Sequence, residues 1–196
     1  MENCSIAGKL IGCIVRDEIF AELSLECNAI RLTSSNEKEV LTGEPLDLLL
    51  YQSPPLKKYD DIETLTSLCK RRKIPCVYWD TDGLVIFAAN LQSIRLFDYV
   101  FTTDIHSIPR YREILGHDRI FDLMFAAQPK LHNPVDRDQE KIGKVAFAGT
   151  WYNQKHESRR SNLQLLLTPA LEYDVHIYDR MYENKHKNYL FPEIYQ

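Results

Sequence analysis

The chain has 196 residues, enough for one ordinary domain or for one domain and part of a second. Its composition, 44% hydrophobic and 27% charged with 7 Gly and 9 Pro, is that of a folded globular protein and excludes collagen-like, low-complexity and disordered chains. The 24 Lys and Arg against 28 Asp and Glu give a formal charge of −4, and the basic residues gather no further than Lys70-Arg71-Arg72-Lys73, so no nucleic-acid partner is expected.

Apolar runs such as Leu84 to Ala89 fall far short of the roughly 20 residues that span a bilayer. Met1-Glu2-Asn3-Cys4 carries an acid where a secretory leader carries basic residues. The expectation is a cytoplasmic chain with no transmembrane segment. Five cysteines form no C-x-x-C pair and sit among apolar neighbours, which reads as buried, reduced thiols.

In chain order, Lys9 to Val15 is a strand candidate, and Asp17 then caps a helix with apolar positions Ile19, Phe20, Leu23 and Cys27. Ala29 to Leu32 is a second strand, followed by a polar turn and a short helix over Glu37 to Leu41. Leu46 to Tyr51, almost wholly apolar, reads as a strand buried on both faces. After Pro54-Pro55, Ile62, Leu65, Leu68 and Cys69 recur at helical spacing up to the basic cluster, which suits a helix C-terminus. Cys76 to Trp79, Tyr99 to Thr102 and Ile120 to Phe125 are the fourth, fifth and sixth strands. A helix started by Ser107 and Pro109 and ended by Gly116 separates the last two. Strands alternating with helices predict an α/β fold with a Rossmann-like, doubly wound parallel sheet over residues 1–135.

Residues 136–143 are charged and nearly devoid of apolar side chains, the composition of a linker. Residues 144–196 then open a second unit: an apolar strand over Lys144 to Ala148, a tight turn at Gly149, a helical stripe of Leu163, Leu166, Leu167 and Ala170, and a strand over Val175 to Tyr178. One βαβ unit of this size is too small to bury a core by itself.

Several chemistries have no motif here. G-x-G-x-x-G after the first strand, G-x-x-x-x-G-K-[ST], G-x-S-x-G and H-E-x-x-H are all missing from the sequence. Gln52-Ser53 stands where a phosphoacceptor receiver domain carries its aspartate. Open α/β sheets bind ligands beyond the carboxyl ends of their strands. The residues predicted there are Arg16, Asp17 and Glu18; Gln52 and Ser53; Asp80, Thr81 and Asp82; Thr103, Asp104 and His106; and Ala127, Gln128 and His132. A partly shielded carboxylate in such a rim can act as a general base toward a hydroxyl. Each acid also has a plainer use: Asp17 and Asp104 as helix caps, Asp80 and Asp82 as turn residues. His117 and His176 read as structural.

Tyr78-Trp79-Asp80-Thr81-Asp82, Phe97 to Asp104, Leu115-Gly116-His117-Asp118, Phe125-Ala126-Ala127-Gln128-Pro129 with His132-Asn133-Pro134, Phe147 to Tyr152 with Arg159-Arg160, and Ile177-Tyr178-Asp179-Arg180 follow one another in order. Taken together they resemble bacterial GT-B-fold glycosyltransferases of the spore-maturation and minor-teichoic-acid type, over nearly the whole chain. The resemblance implies two Rossmann-like domains, the first chiefly for the acceptor and the second for a nucleotide-sugar donor. It implies Asp80, Asp82 or Asp104 as general base, and Arg16, Gln52, His106, Gln128 and His132 on the acceptor side. Gly149, Thr150 and Tyr152 would meet the donor diphosphate at a strand-to-helix loop, with Arg159 and Arg160 adding charge-assisted bonds. The partners implied are a nucleotide sugar and a glycan or polyol-phosphate acceptor, with no metal and no other cofactor.

Two departures from that family stand out: Gly83-Leu84 replaces a proline-containing turn, and family members run well past Gln196. On this reading the second domain is only begun, and Tyr189, Phe191 and Tyr195 are left exposed, favouring a homo-oligomer. The rival expectation is a non-catalytic Rossmann-like binding or scaffold module. A small-molecule α/β enzyme is the third, with no motif to carry it.

Overall fold

In a computed structural model the structure describes residues 5–53, 61–82, 87–133, 135, 145–152, 156–183 and 189–195. Cys4, Gly83-Leu84 and residues 136–143, all named above, lie outside the described residues. The chain divides into two compact units, Met1–Asn133 and Pro134–Gln196.

The first unit is α/β and Rossmann-like. Strands β1 (Leu10–Ile14), β2 (Asn28–Arg31), β3 (Leu48–Ser53), β4 (Cys76–Asp80), β5 (Tyr99–Thr102) and β6 (Ile120–Asp122) form one sheet in the order β2-β1-β3-β4-β5-β6. Every neighbouring pair is parallel. The helices are α1 (Asp17–Leu23), α2 (Glu37–Gly43), α3 (Ile62–Arg72), α4 (Phe87–Ile94) and α5 (Ile108–Leu115). Helix α4 was not among the sequence expectations, although a parallel β4-to-β5 connection demands a crossover of this kind. The sixth strand is shorter than predicted: the Leu123 backbone N–H makes the last bond to β5, at 2.9 Å to the Thr102 carbonyl, and Leu123, Met124 and Phe125 are exposed.

Strand alternation divides the core into two layers. Leu49, Tyr51, Cys76, Tyr78 and Val100 face one side, where they pack with Leu41 of α2, Leu65 and Cys69 of α3, Ile94 of α4 and Tyr111 of α5. Ile11, Cys13, Val15, Leu50, Val77 and Trp79 face the other, where α1 contributes Ile19, Phe20 and Leu23. With helices on both faces the sheet is doubly wound, and the strand order reverses between β1 and β3. Central strands buried on both faces explain the unbroken apolar run of Leu48, Leu49 and Leu50.

Local signals set the element ends. Asp61 caps α3 by accepting from the Thr64 backbone N–H at 2.9 Å, and Lys70, Arg71 and Arg72 occupy its last turn. Gly116 ends α5 at φ 73°, a backbone region that costs glycine little. Gly12 sits in a crowded place: a Cβ there would lie 2.6 Å from Leu32 Cδ1 and 2.8 Å from Leu46 Cδ1, so those buried side chains would have to shift to admit one. Asp17 is not the cap of α1; Arg16 is, and Asp17 is the first helical residue, paired at 3.0 Å with Arg31.

In the second unit β7 (Val145–Gly149) and β8 (Val175–Asp179) pair in parallel, joined through α6 (Glu157–Ala170). Phe147, Ile177, Leu163, Leu167 and Leu171 pack around buried Trp151, Phe191 and Tyr195. Two expectations are corrected by this core. Phe191 and Tyr195 are buried at 5% and 9% exposure, their rings tilted against Trp151 with centroids 5.5 Å from its own, so they leave no open aromatic surface. The buried stripe of α6 is Leu163 and Leu167, while Leu166 is 69% exposed, because i, i+4 positions share a helix face and Leu166 lies off it. Among the described residues no helix is long and apolar enough to cross a membrane.

Candidate functional site

The strand order of the first unit reverses between β1 and β3, and two of the predicted residues meet at the carboxyl ends of those strands. Gln52, the fifth residue of β3, is 1% exposed, and its amide Oε1 accepts the Arg16 backbone N–H at 3.0 Å. The loop carrying Arg16 is held from the other side by Arg31 of β2. The Arg31 guanidinium donates to the Val15 carbonyl at 3.0 Å, pairs with the Asp17 carboxylate and lies 4.2 Å from the Phe20 ring centroid. The buried Gln52 Nε2 and Arg16 Nε have no hydrogen-bond partner among the described residues.

The three carboxylates sit further along the same edge, in different circumstances. Asp80 is 1% exposed; its Oδ2 accepts from the Tyr111 hydroxyl and its Oδ1 from the Asp82 backbone N–H at 3.2 Å. Burial, then the bond to Asp80, pushes the Tyr111 phenol well above its ordinary range, so it stays a donor. Asp104 caps the short 3-10 turn Ile105–Ser107, accepting from the His106 backbone N–H at 3.0 Å. Asp82 is exposed at the rim. Cross-bonds stitch this edge together: Thr81 Oγ1 donates to the Ser53 carbonyl, the Thr103 backbone N–H to the Asp80 carbonyl at 3.1 Å, and Thr103 Oγ1 to the Thr81 carbonyl at 3.3 Å.

Gln128 and His132 do not join that rim. Gln128 Nε2 donates to Glu26 Oε1 at 2.8 Å, its backbone N–H donates to His132 Nδ1 at 2.9 Å, and His132 Nε2 lies 3.7 Å from Glu22 Oε1. These bonds fasten the segment after β6 onto the C-terminal side of α1. His106 is exposed on the 3-10 turn.

In the second unit, Gly149, Thr150, Tyr152 and Arg159 line one cavity of about 360 Å³ at the carboxyl end of β7, together with Arg180. Gly149 is the last residue of β7 rather than a turn residue, its ladder position filled against Asp179. Arg160 is not in the lining; its guanidinium lies 3.6 Å from Glu157 one turn earlier, because adjacent helix positions point about 100° apart. Tyr152 packs edge-on against His156 and Tyr189.

Three residues that matter here were not predicted. Tyr111 falls on the apolar stripe of α5, which hides the use made of its hydroxyl. Arg31 lies inside a strand. Arg180 follows the carboxyl end of β8, where the rule applied to the first sheet would have found it. Among the described residues no group of acids, histidines and cysteines is placed to hold a metal ion. Compared with known proteins, the chain matches no family model and no curated sequence.

Proposed function

We propose that the chain carries the acceptor-side unit and the opening of the donor unit of a GT-B-type glycosyltransferase, which moves a sugar from a nucleotide-diphosphate donor to a cell-envelope or related glycan or polyol-phosphate acceptor. The observation that supports this reading is the cavity beside Gly149 and Thr150, whose lining includes Arg159 from α6 and Arg180 just after β8. Two arginines and a threonine in the lining of a cavity at the carboxyl end of a parallel strand are the residue types that suit a diphosphate, which takes several charge-assisted bonds at once. In the transfer step they would stabilise the negative charge that gathers on the departing diphosphate, with no metal required. The acceptor hydroxyl would lose its proton to Asp82, the one member of the acid trio whose carboxylate faces solvent rather than a fold-holding partner.

The test is a titration of the full chain with UDP, GDP and CDP, read by Trp151 fluorescence and calorimetry. Saturable binding that weakens about tenfold in both Arg159→Ala and Arg180→Ala is expected from the loss of one charge-assisted bond each. Binding unaffected by either substitution would remove the donor-site assignment.

The engagement of Asp80 by Tyr111 and of Asp104 by its own cap favours a second reading, a non-catalytic module that binds the same ligands. In the protein as it occurs in its cells, turnover abolished by Asp82→Asn with ligand binding retained supports the enzyme; turnover that is absent with or without Asp82 supports the module.

A further inference from the structure

We infer that the carboxyl ends of β1 and β3, where the strand order reverses, form a binding site for an oxyanion of the phosphate class, held by the Gln52 amide and the Arg16 guanidinium. The geometry of Gln52 fixes its own chemistry. Its Oε1 faces the Arg16 backbone N–H at 3.0 Å, and the amide turned over would set one donor against another. Nε2, with its two hydrogens, is therefore directed to the far side, inside a residue that is 1% exposed and without an acceptor among the described residues. Arg16 Nε is in the same position: buried, with a hydrogen to donate and no acceptor among the described residues.

Buried polar groups in folded proteins are almost always paired, and a buried donor left unmade costs more than an ordinary hydrogen bond returns. Two such donors on residues that touch each other, at the reversal point of a doubly wound sheet, mark a place where a ligand supplies the missing acceptors. Both groups only donate and one is a permanent cation, so the ligand brings lone pairs and negative charge. The backbone on either side of Arg16 is also held before the ligand arrives: Arg31 donates to the Val15 carbonyl and pairs with the Asp17 carboxylate, so the acid next to Arg16 in the chain is already engaged. Assigning the oxyanion to the acceptor substrate rests on the transferase reading; the site itself does not.

The experiment follows the side-chain N–H resonances of Gln52 and Arg16 in the full chain by NMR while inorganic phosphate, glycerol phosphate or glycerol is added at constant ionic strength. Saturable shifts of both resonances are expected with the two phosphates and none with glycerol. Arg16→Ala, which keeps the backbone N–H, is expected to weaken binding at least tenfold, and Gln52→Glu, which puts a carboxylate in place of the donor, to abolish it. Tighter binding of glycerol phosphate than of phosphate points to an acceptor substrate, and equal binding to free phosphate; both support the site. No saturable shift at either resonance, equal shifts with glycerol, or undiminished binding in Arg16→Ala overturns it. Because the readout is residue-specific, Arg180→Ala leaves the Gln52 shift intact, so failure here and failure of the donor cavity are told apart.

Discussion

Tyr111→Phe removes one hydroxyl from the interior of the first unit and leaves the ring where it packs. Tyr111 is 0% exposed and its partner Asp80 is 1% exposed, so water does not replace the lost donor. The Asp80 carboxylate keeps the Asp82 backbone N–H on its other oxygen, at 3.2 Å. A hydrogen bond to a buried carboxylate contributes about 1.5–3 kcal/mol, and because Asp80 retains other partners the expected loss is about 2 kcal/mol. For a unit of this size that lowers the midpoint by roughly 5–10 °C. The two tryptophans, Trp79 in the first unit and Trp151 in the second, allow the units to be followed separately. With 5-fluorotryptophan incorporated, the Trp79 resonance is expected to report an earlier transition in Tyr111→Phe and the Trp151 resonance an unchanged one. A double-mutant cycle with Asp80→Asn should return a coupling above about 1 kcal/mol. A loss below about 0.5 kcal/mol at Trp79 would refute the assignment of Asp80 as a buried anchor and return it to the list of free carboxylates.

Three further outcomes follow from local geometry. Gly12→Ala drives a methyl into Leu32 and Leu46, both buried, and is expected to cost about 1–3 kcal/mol in urea unfolding. Asp61→Ala leaves the Thr64 backbone N–H without its cap and should cost about 0.5–2 kcal/mol, with Asp61→Asn recovering most of it. Burial pushes the Cys13 thiol up to about 12 from an ordinary 9.0, and the Tyr51 phenol to about 12 from 10.0. The folded state then holds protons that the unfolded state releases, so stability is full below pH 9 and falls as pH rises from there toward 12. A denaturant midpoint that is flat or rising over that window contradicts the buried, neutral state of these groups.

How much of this was legible in the sequence depends on which force fixed each feature. The strands of the first unit were legible because burial on both faces leaves an unbroken apolar run, and α3 and α5 because Asp61, the basic cluster and Gly116 punctuate them chemically. Helix α4 carries no such punctuation, and its existence follows from topology rather than from residue pattern. Among the candidate residues, the strand-end rule brought Arg16 and Gln52 forward together, and the structure has them in contact. It brought Gln128 and His132 forward for the wrong place, since a segment that leaves the ladder early crosses to α1 instead of ending at the rim. Arg160 and Leu166 were misplaced by helix geometry: one residue of displacement along α6 turns a side chain to a different face.

The acid-rich rim illustrates why a count of carboxylates overstates catalytic capacity. A parallel strand that ends must hand its last carbonyls and the next amides to something, and Asp and Thr are the residues that supply acceptors and donors within two positions of their own backbone. Asp104 is spent on the 3-10 turn, and Thr81 and Thr103 on the carbonyls of Ser53 and Thr81. Asp80 is spent on Tyr111 and on Asp82. What such consumption leaves over is the informative part. Asp82 has an exposed side chain, and Gln52 and Arg16 hold buried donors to which no described residue offers an acceptor. A structural role explains a satisfied polar group completely, whereas it explains an unsatisfied buried donor not at all, so chemistry is to be sought first where the hydrogen-bond accounting of the fold fails to close.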